Sequence, residues 1–109
     1  ASTSITSMAI EVIDVLAPMI EDGSLFIQKA MLLNEMSDWD GIKEATEMAL
    51  LDPNLENPGD VFILRGMAHT ELEEYEQAIE SFTEAIEVGT ESNKRNAESW
   101  IEYVSDRRG

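Results

Sequence analysis

Two stretches of the chain repeat each other at a spacing of 36 residues, and this period constrains the fold more than any other feature. Similar residues stand 36 positions apart in these pairs: Phe26 and Phe62, Ile27 and Ile63, Met31 and Met67, Glu35 and Glu71, Trp39 and Tyr75, Glu44 and Glu80, Ala49 and Ala85. A fixed period of this size is typical of repeat proteins, in which each copy is one supersecondary unit stacked on its neighbours. Such proteins more often bind other proteins than catalyse reactions, so the period predicts a binding scaffold.

The composition fits a folded chain that is one domain or a piece of a larger protein. Its 109 residues are 43% hydrophobic, a fraction typical of globular rather than disordered chains. It has no cysteine, which excludes a disulfide framework, thiolate metal sites and a cysteine nucleophile. The chain begins with Ala1 rather than methionine, and we interpret it as a processed form or an excised fragment.

Acidic residues dominate the charge of the chain. There are 23 Asp and Glu against 7 Lys and Arg, a formal net charge of −16. This charge would repel nucleic acid and anionic lipid, so neither is an expected partner. No apolar run reaches the roughly 20 residues that span a bilayer, so direct membrane insertion is not expected, and no signal peptide is visible. Two interpretations of the charge stay open, which are solvated helix faces and attraction of a basic partner.

Apolar residues recur at helical spacing along the chain, and no segment alternates with the period of two that a strand requires. The sequence therefore predicts an all-α fold of antiparallel helix pairs joined by short turns. The predicted helices are 8–21, 25–36, 39–51, 58–72, 75–88 and 92–105. The last of them has one clean apolar stripe, formed by Ala97, Trp100, Ile101 and Val104.

Residues with capping chemistry mark the predicted helix ends. The expected N-caps share a side-chain oxygen that can accept from first-turn amides: Ser24, Asp38, Asn57 and Ser92. Gly89 is the expected C-cap of the fifth helix. Pro18 removes one backbone amide near the end of the first helix, which predicts a kink or a stop there.

The segment from Phe62 onward resembles the tetratricopeptide repeat (TPR), a helix–turn–helix unit of about 34 residues. The matching residues are an aromatic, small residues and the A-x₃-F pattern, found here at Phe62, Gly66, Ala68, Tyr75, Ala78, Phe82 and Ala85. The resemblance implies a right-handed array of antiparallel helix pairs, with about six helices and a C-terminal capping helix. It divides a single domain over 1–109 into a partial repeat helix (8–21), a degenerate repeat (25–53), a clear repeat (59–90) and the cap (92–106).

Small residues indicate where the two helices of the clear repeat cross. Helices approach closely only where one of them lacks bulk, so we expect Gly66 and Ala78 to face each other. Leucine at position 66 should overpack this contact, whereas alanine should be tolerated. In the earlier copy Ile42 and Thr46 stand where Ala78 and Phe82 stand later, which predicts a shifted crossing there.

A narrower resemblance concerns the last part of the chain. Asn57-Pro58-Gly59, the run 64–68 and the run 96–104 are similar to the C-terminal end of longer TPR proteins associated with TonB energy-transduction systems in Gram-negative bacteria. This resemblance implies an adaptor of the bacterial periplasm or cell envelope.

The TPR resemblance also implies a function, which is non-catalytic binding of a peptide or helix in a concave groove lined by the first helix of each pair. The inner positions that would form this groove are Ile27, Met31, Asn34, Ile63, Met67 and Thr70. Methionine suits such a surface because its flexible thioether adapts to irregular partners. No basic residue is placed there to pair a carboxylate. The expected partner is a protein or peptide with an apolar centre, with or without basic residues at its edges.

The candidates for catalysis or metal binding give weak signals. The run Asp38-Trp39-Asp40-Gly41, followed by Glu47, has the offsets of an EF-hand loop, but Met36 takes the first ligand position. We therefore expect a repeat turn rather than a calcium site. His69 is the only histidine, and a packing role is expected for it. No enzymatic activity, cofactor or metal ion is predicted.

Three other functional hypotheses stay open. The chain could be a self-assembling fragment of a longer repeat protein, with an open apolar flank that makes a homodimer. It could be a secretion chaperone, since some of these are small acidic TPR proteins. It could also be the accessory or regulatory domain of an enzyme.

Overall fold

A computed structural model of the protein describes residues 6–14 and 23–109, and these residues form helices joined by turns, with no strand among them. The helices are α1 (6–14), α2 (Gly23–Glu35), α3 (Trp39–Ala49), α4 (Pro58–Glu71), α5 (Tyr75–Val88) and α6 (Glu91–Arg108). The predicted all-α class is confirmed. The second half of the predicted first helix, with the kink at Pro18, lies outside the described residues, as does the Ser24 side chain.

The chain forms two compact units, Ala1–Leu55 and Glu56–Gly109, which we call unit 1 and unit 2. Unit 1 contains α1, α2 and α3, and unit 2 contains α4, α5 and α6. Each unit is described separately below. The single domain over 1–109 stays a prediction.

The turn between α2 and α3 reverses the chain through one residue in the left-handed conformation. Ser37 has φ +57°. Its amide donates to the carbonyl of Asn34 at 3.1 Å, and the amide of Asp38 donates to the carbonyl of Leu33 at 2.9 Å. These two bonds satisfy carbonyls at the end of α2 in the arrangement of a Schellman motif.

The turn between α4 and α5 has the same backbone arrangement. Glu73 has φ +60°, its amide donates to Thr70 at 3.0 Å, and the amide of Glu74 donates to His69 at 2.8 Å. Each of these residues stands 36 positions after its counterpart in the first turn. The period seen in the side chains is therefore present in the backbone hydrogen bonds as well.

Small and medium residues fill the core of unit 1. Ala30 of α2 is fully buried, as are Ile42, Thr46 and Ala49 of α3. Thr46 is polar, but its hydroxyl donates to the carbonyl of Ile42 at 2.7 Å, which satisfies it within its own helix. From α1, Ile13 is also buried.

An aromatic stack forms the centre of unit 2. The buried cluster contains Ile63, Ala78, Phe82, Ala85, Ala97 and Val104, contributed by all three helices of the unit. The ring of Phe82 is stacked on that of Trp100, with centroids 5.5 Å apart and planes 9° from parallel. Trp100 and Ile101 pack against the cluster, so the apolar stripe predicted on the last helix is confirmed.

The closest approach of α4 and α5 differs from the prediction in its partner. A Cβ added to Gly66 would lie 2.6 Å from Cε1 of Phe82 and 2.7 Å from its Cζ. The residue across from Gly66 is thus the large Phe82 and not the small Ala78. The expectation that alanine is tolerated at position 66 must be corrected, since even one methyl group would meet the buried ring.

The start of α6 also differs from the prediction. Its N-cap is Thr90 rather than Ser92, and Thr90 forms a capping box with Asn93. The Thr90 hydroxyl accepts from the Asn93 amide at 3.2 Å, and the Asn93 side chain accepts from the Thr90 amide at 3.0 Å. Asn93 also donates to Asp60 of α4 at 2.7 Å, so one buried side chain ties two helix starts together.

Ser24 lies in the first turn of α2, which begins at Gly23, so the prediction of Ser24 as N-cap was wrong. The remaining predicted caps are at helix ends. Asp38 caps α3, since its carboxylate accepts from the Gly41 amide at 3.0 Å. Asn57 is the N-cap of α4 but makes no side-chain capping bond, and its side-chain NH2 group donates to the Asp60 carboxylate at 2.9 Å. Gly89 is the C-cap of α5.

The contact at Gly66 predicts a loss of stability for Gly66→Ala. Alanine would gain about 1 kcal/mol of helix propensity, but the methyl group would push a buried ring that is held by its stack, a cost of roughly 1–3 kcal/mol. We expect a net destabilisation by about 1 kcal/mol for Gly66→Ala and a larger one for Gly66→Leu, measured by urea unfolding. An alanine variant as stable as the parent would contradict this contact.

The left-handed residue of the second turn gives a paired prediction. Glu73→Val should lower the free energy of unfolding by about 1 kcal/mol or more, because a β-branched residue is strained at positive φ. Glu73→Gly should keep or raise it by up to ~1 kcal/mol. Both variants remove the same charge, so the difference between their unfolding midpoints isolates the backbone term. Equal midpoints would show that the turn does not require this conformation.

Candidate functional site

The predicted groove residues of unit 1 lie on one face of α2, and their side chains are exposed or half-buried. Met31 is 60% exposed. Asn34 is exposed and Ile27 is half-buried. These three positions follow the i, i+4, i+7 spacing, so they form one stripe on the helix.

The predicted groove residues of unit 2 are more buried. Ile63 belongs to the buried cluster, and Met67 is half-buried against it. Thr70 is only 6% exposed, and its hydroxyl donates to the carbonyl of Gly66 at 2.8 Å. Ile63 and Thr70 therefore have little side-chain surface left for a partner, and of the three only Met67 keeps a substantial share.

The two stripes occupy equivalent positions, yet they differ in exposure at every step. Ile63, Met67 and Thr70 stand 36 residues after Ile27, Met31 and Asn34. The cluster against which Met67 packs includes Ala97 and Val104 of α6. This third helix supplies part of the cover in unit 2.

Exposed apolar side chains are concentrated in unit 1. Among the described residues, the exposed large hydrophobics of unit 1 are Met8, Val12, Met31, Met36, Met48 and Leu51, against Val88 and Tyr103 in unit 2. The formal charge is divided evenly, since 1–55 carries ten acids and two bases and 56–109 carries thirteen acids and five bases, a net charge of −8 each. The chain thus presents apolar groups on an acidic background.

An open cleft of about 260 Å³ runs between α4 and α5 in unit 2. Helix α4 lines it with Phe62, Arg65 and His69. Helix α5 lines it with residues at i, i+3, i+4 and i+7, which are Gln77, Glu80, Ser81 and Glu84. This cleft was not predicted from the sequence, although its α5 residues stand at helical spacing there.

His69 has the packing role that was predicted, together with one polar contact. It is 7% exposed, and its Nδ1 lies 2.9 Å from Oε1 of Glu74. Because a carboxylate only accepts hydrogen bonds, Nδ1 carries the hydrogen and donates it. This bond joins the end of α4 to the residue that precedes α5.

The residues that resemble a calcium loop are engaged in local structure. The Asp38 carboxylate caps α3, and Asp40 pairs with Lys43 at 3.4 Å. No group of three or more His, Asp or Glu side chains suited to hold a metal ion occurs in 6–14 or 23–109. Within the same ranges, no helix is long and apolar enough to span a membrane.

Comparison with known proteins adds no family to this description. No protein-family model matches the chain, and no curated protein matches it either.

The geometry around Asp38 predicts that calcium does not stabilise the protein. The melting temperature should be the same in millimolar calcium and in chelator, apart from a charge-screening shift that magnesium reproduces. Magnesium at equal concentration is the control, because a screening effect depends on ion charge and not on ligand geometry. A rise seen with calcium alone would identify the Asp38–Glu47 segment as a real site.

Proposed function

We propose that this protein is a non-catalytic interaction module built from TPR-type helix pairs, which binds a protein or peptide partner through apolar groups. The observation that carries the proposal is the repetition of the α2–α3 turn in the α4–α5 turn, with the same hydrogen bonds and the same left-handed residue 36 positions later. Repetition of a helix–turn–helix unit is the basis of binding scaffolds of this kind.

The α2 stripe is the proposed contact surface. Met31 is 60% exposed on a helix whose opposite face is buried at Ala30 and Leu33. An exposed methionine surface adapts to partners of varied shape. Lys29 of the same helix pairs with Asp14, and it is therefore engaged within unit 1. The partner that fits this stripe has an apolar centre and does not bind through a terminal carboxylate.

In unit 2, fewer of the predicted groove residues have exposed side-chain surface. Since Ile63 and Thr70 are buried, the proposal assigns them to the support of α4 and assigns Met67 alone to partner contact. A homodimer is the second candidate, because Met8 and Val12 are exposed one turn apart on α1. The charge of −16 on each copy opposes self-association and favours a basic or neutral partner instead.

The proposal predicts that Met31→Glu abolishes capture of a partner that the parent chain retains. The resemblance of 57–104 to TonB-associated proteins makes envelope extracts of Gram-negative bacteria the first material to test. The matched control is Met48→Glu, which makes the same change at a 41% exposed methionine of α3. Both variants should keep the parent's helical circular dichroism and melting temperature, since neither methionine is buried.

Three results would decide the outcome. A protein retained by the parent and by Met48→Glu, but lost with Met31→Glu, supports the α2 stripe. Equal retention by all three chains would overturn it. Unfolding of Met31→Glu would show that Met31 packs within the array and does not line a contact surface.

A further inference from the structure

We propose that the α4–α5 cleft of unit 2 binds the guanidinium group of an arginine side chain on a protein or peptide partner. This inference goes beyond the α2 stripe, because none of the stripe residues lines the cleft. The cleft would recognise a charged group, whereas the α2 stripe recognises an apolar one.

The α5 side of the cleft holds carboxylates with no partner among the described residues. Neither Glu80 nor Glu84 has a hydrogen bond or ion pair with another residue in the described part of the chain. Glu84 is half-buried, so its charge is partly removed from water. A guest guanidinium could therefore donate to carboxylates that no other described side chain engages.

Ser81 gives the cleft an uncharged polar group. This side chain is only 6% exposed, lines the cleft, and makes no hydrogen bond to any described residue. Helical serines and threonines commonly donate to the carbonyl four residues earlier. Thr70 and Thr83 of the same unit do so, to Gly66 and Ile79 at 2.8 Å each. The Ser81 hydroxyl does not, and its oxygen is open to solvent in the cleft, because no buried side-chain oxygen or nitrogen of the described residues lacks a partner. The hydroxyl is therefore accessible to a guest.

The aromatic residue of the cleft favours arginine over other cations. Phe62 lines the cleft opposite the α5 residues, and an aromatic ring face attracts a guanidinium more often than an ammonium. The planar guanidinium can also donate to a carboxylate and to a neighbouring hydroxyl at the same time. The cleft of about 260 Å³ lies just below the roughly 300–1,000 Å³ of pockets for drug-sized ligands. It suits one long side chain.

Arg65 is the feature that opposes a guest cation, because its own guanidinium lines the cleft from α4. Arg65 already has an interaction partner of its own. Two glutamates and one arginine line the cleft, so its formal charge is negative, and it lies in a unit with a net charge of −8. The field therefore favours entry of a cation over entry of an anion.

The test must separate a specific site from general attraction to an acidic chain. The full chain, labelled with ¹⁵N, is titrated with the peptide acetyl-Ala-Ala-Arg-Ala-Ala-amide at about 0.15 M salt, where exposed charges are screened beyond about 8 Å. The control peptide replaces arginine by citrulline, which has nearly the same shape and no charge. The arginine peptide should shift the amide resonances of 62–69 and 77–84, and the citrulline peptide should not.

Matched variants assign the binding to named groups. Glu84→Gln should raise the Kd at least about tenfold, because it removes the half-buried charge and keeps the shape. Glu87→Gln removes the same charge from an exposed position of α5 that does not line the cleft, and its Kd should stay within about twofold of the parent. Ser81→Ala provides a second site variant without any change in charge and should also weaken binding.

Several results would overturn the proposal. They are equal weakening by Glu84→Gln and Glu87→Gln, equal binding of the citrulline peptide, tighter binding of a lysine peptide, or the absence of shifts at the cleft. Met31→Glu should leave arginine binding unchanged. The cleft and the α2 stripe can therefore fail independently of each other.

Discussion

The ring of Phe82 occupies the space that a Cβ at Gly66 would need, and it stacks on Trp100 of α6. This one side chain therefore holds α4, α5 and α6 together, because it contributes from α5 and touches the other two helices. The absence of a Cβ at position 66 lets the two backbones approach, and the ring then fills the space that close packing requires. Ala78, Ala85 and Ala97 belong to the same buried cluster as the ring.

The α2–α3 pair of unit 1 has side chains of different volume from those at the equivalent positions of the α4–α5 pair. Ala30 takes the place of Gly66, Thr46 that of Phe82, and Ile42 that of Ala78, and all three residues of unit 1 are fully buried. Compared with unit 2, unit 1 has one more methyl group on its first helix, at Ala30, and no aromatic ring at Thr46 on its second helix. The larger side chain of Ile42, one turn before Thr46, compensates for part of the lost volume. Volume is thus exchanged among neighbours, which is the kind of change that packed cores tolerate.

The two proposed contacts use different chemistry. The α2 stripe of unit 1 offers an adaptable apolar side chain at Met31, whereas the cleft of unit 2 offers carboxylates and a hydroxyl. An apolar segment suits the first contact, and an arginine side chain suits the second. The apolar contact would provide affinity through burial, and the charged contact would provide specificity and faster association in the field of an acidic chain.

The sequence by itself determined the elements that depend on local chemistry. Helix spans, the cap at Asp38, the apolar stripe of α6 and the 36-residue period follow from neighbours within a few positions or from direct comparison of residues. Only the tertiary structure decided burial. Equivalent positions such as Asn34 and Thr70 differ in exposure, the side chain nearest to Gly66 is Phe82 rather than Ala78, and Ser81 lines a cleft of unit 2. The physical reason is that a helical period fixes which face a residue occupies, whereas what covers that face is set by residues far away in sequence.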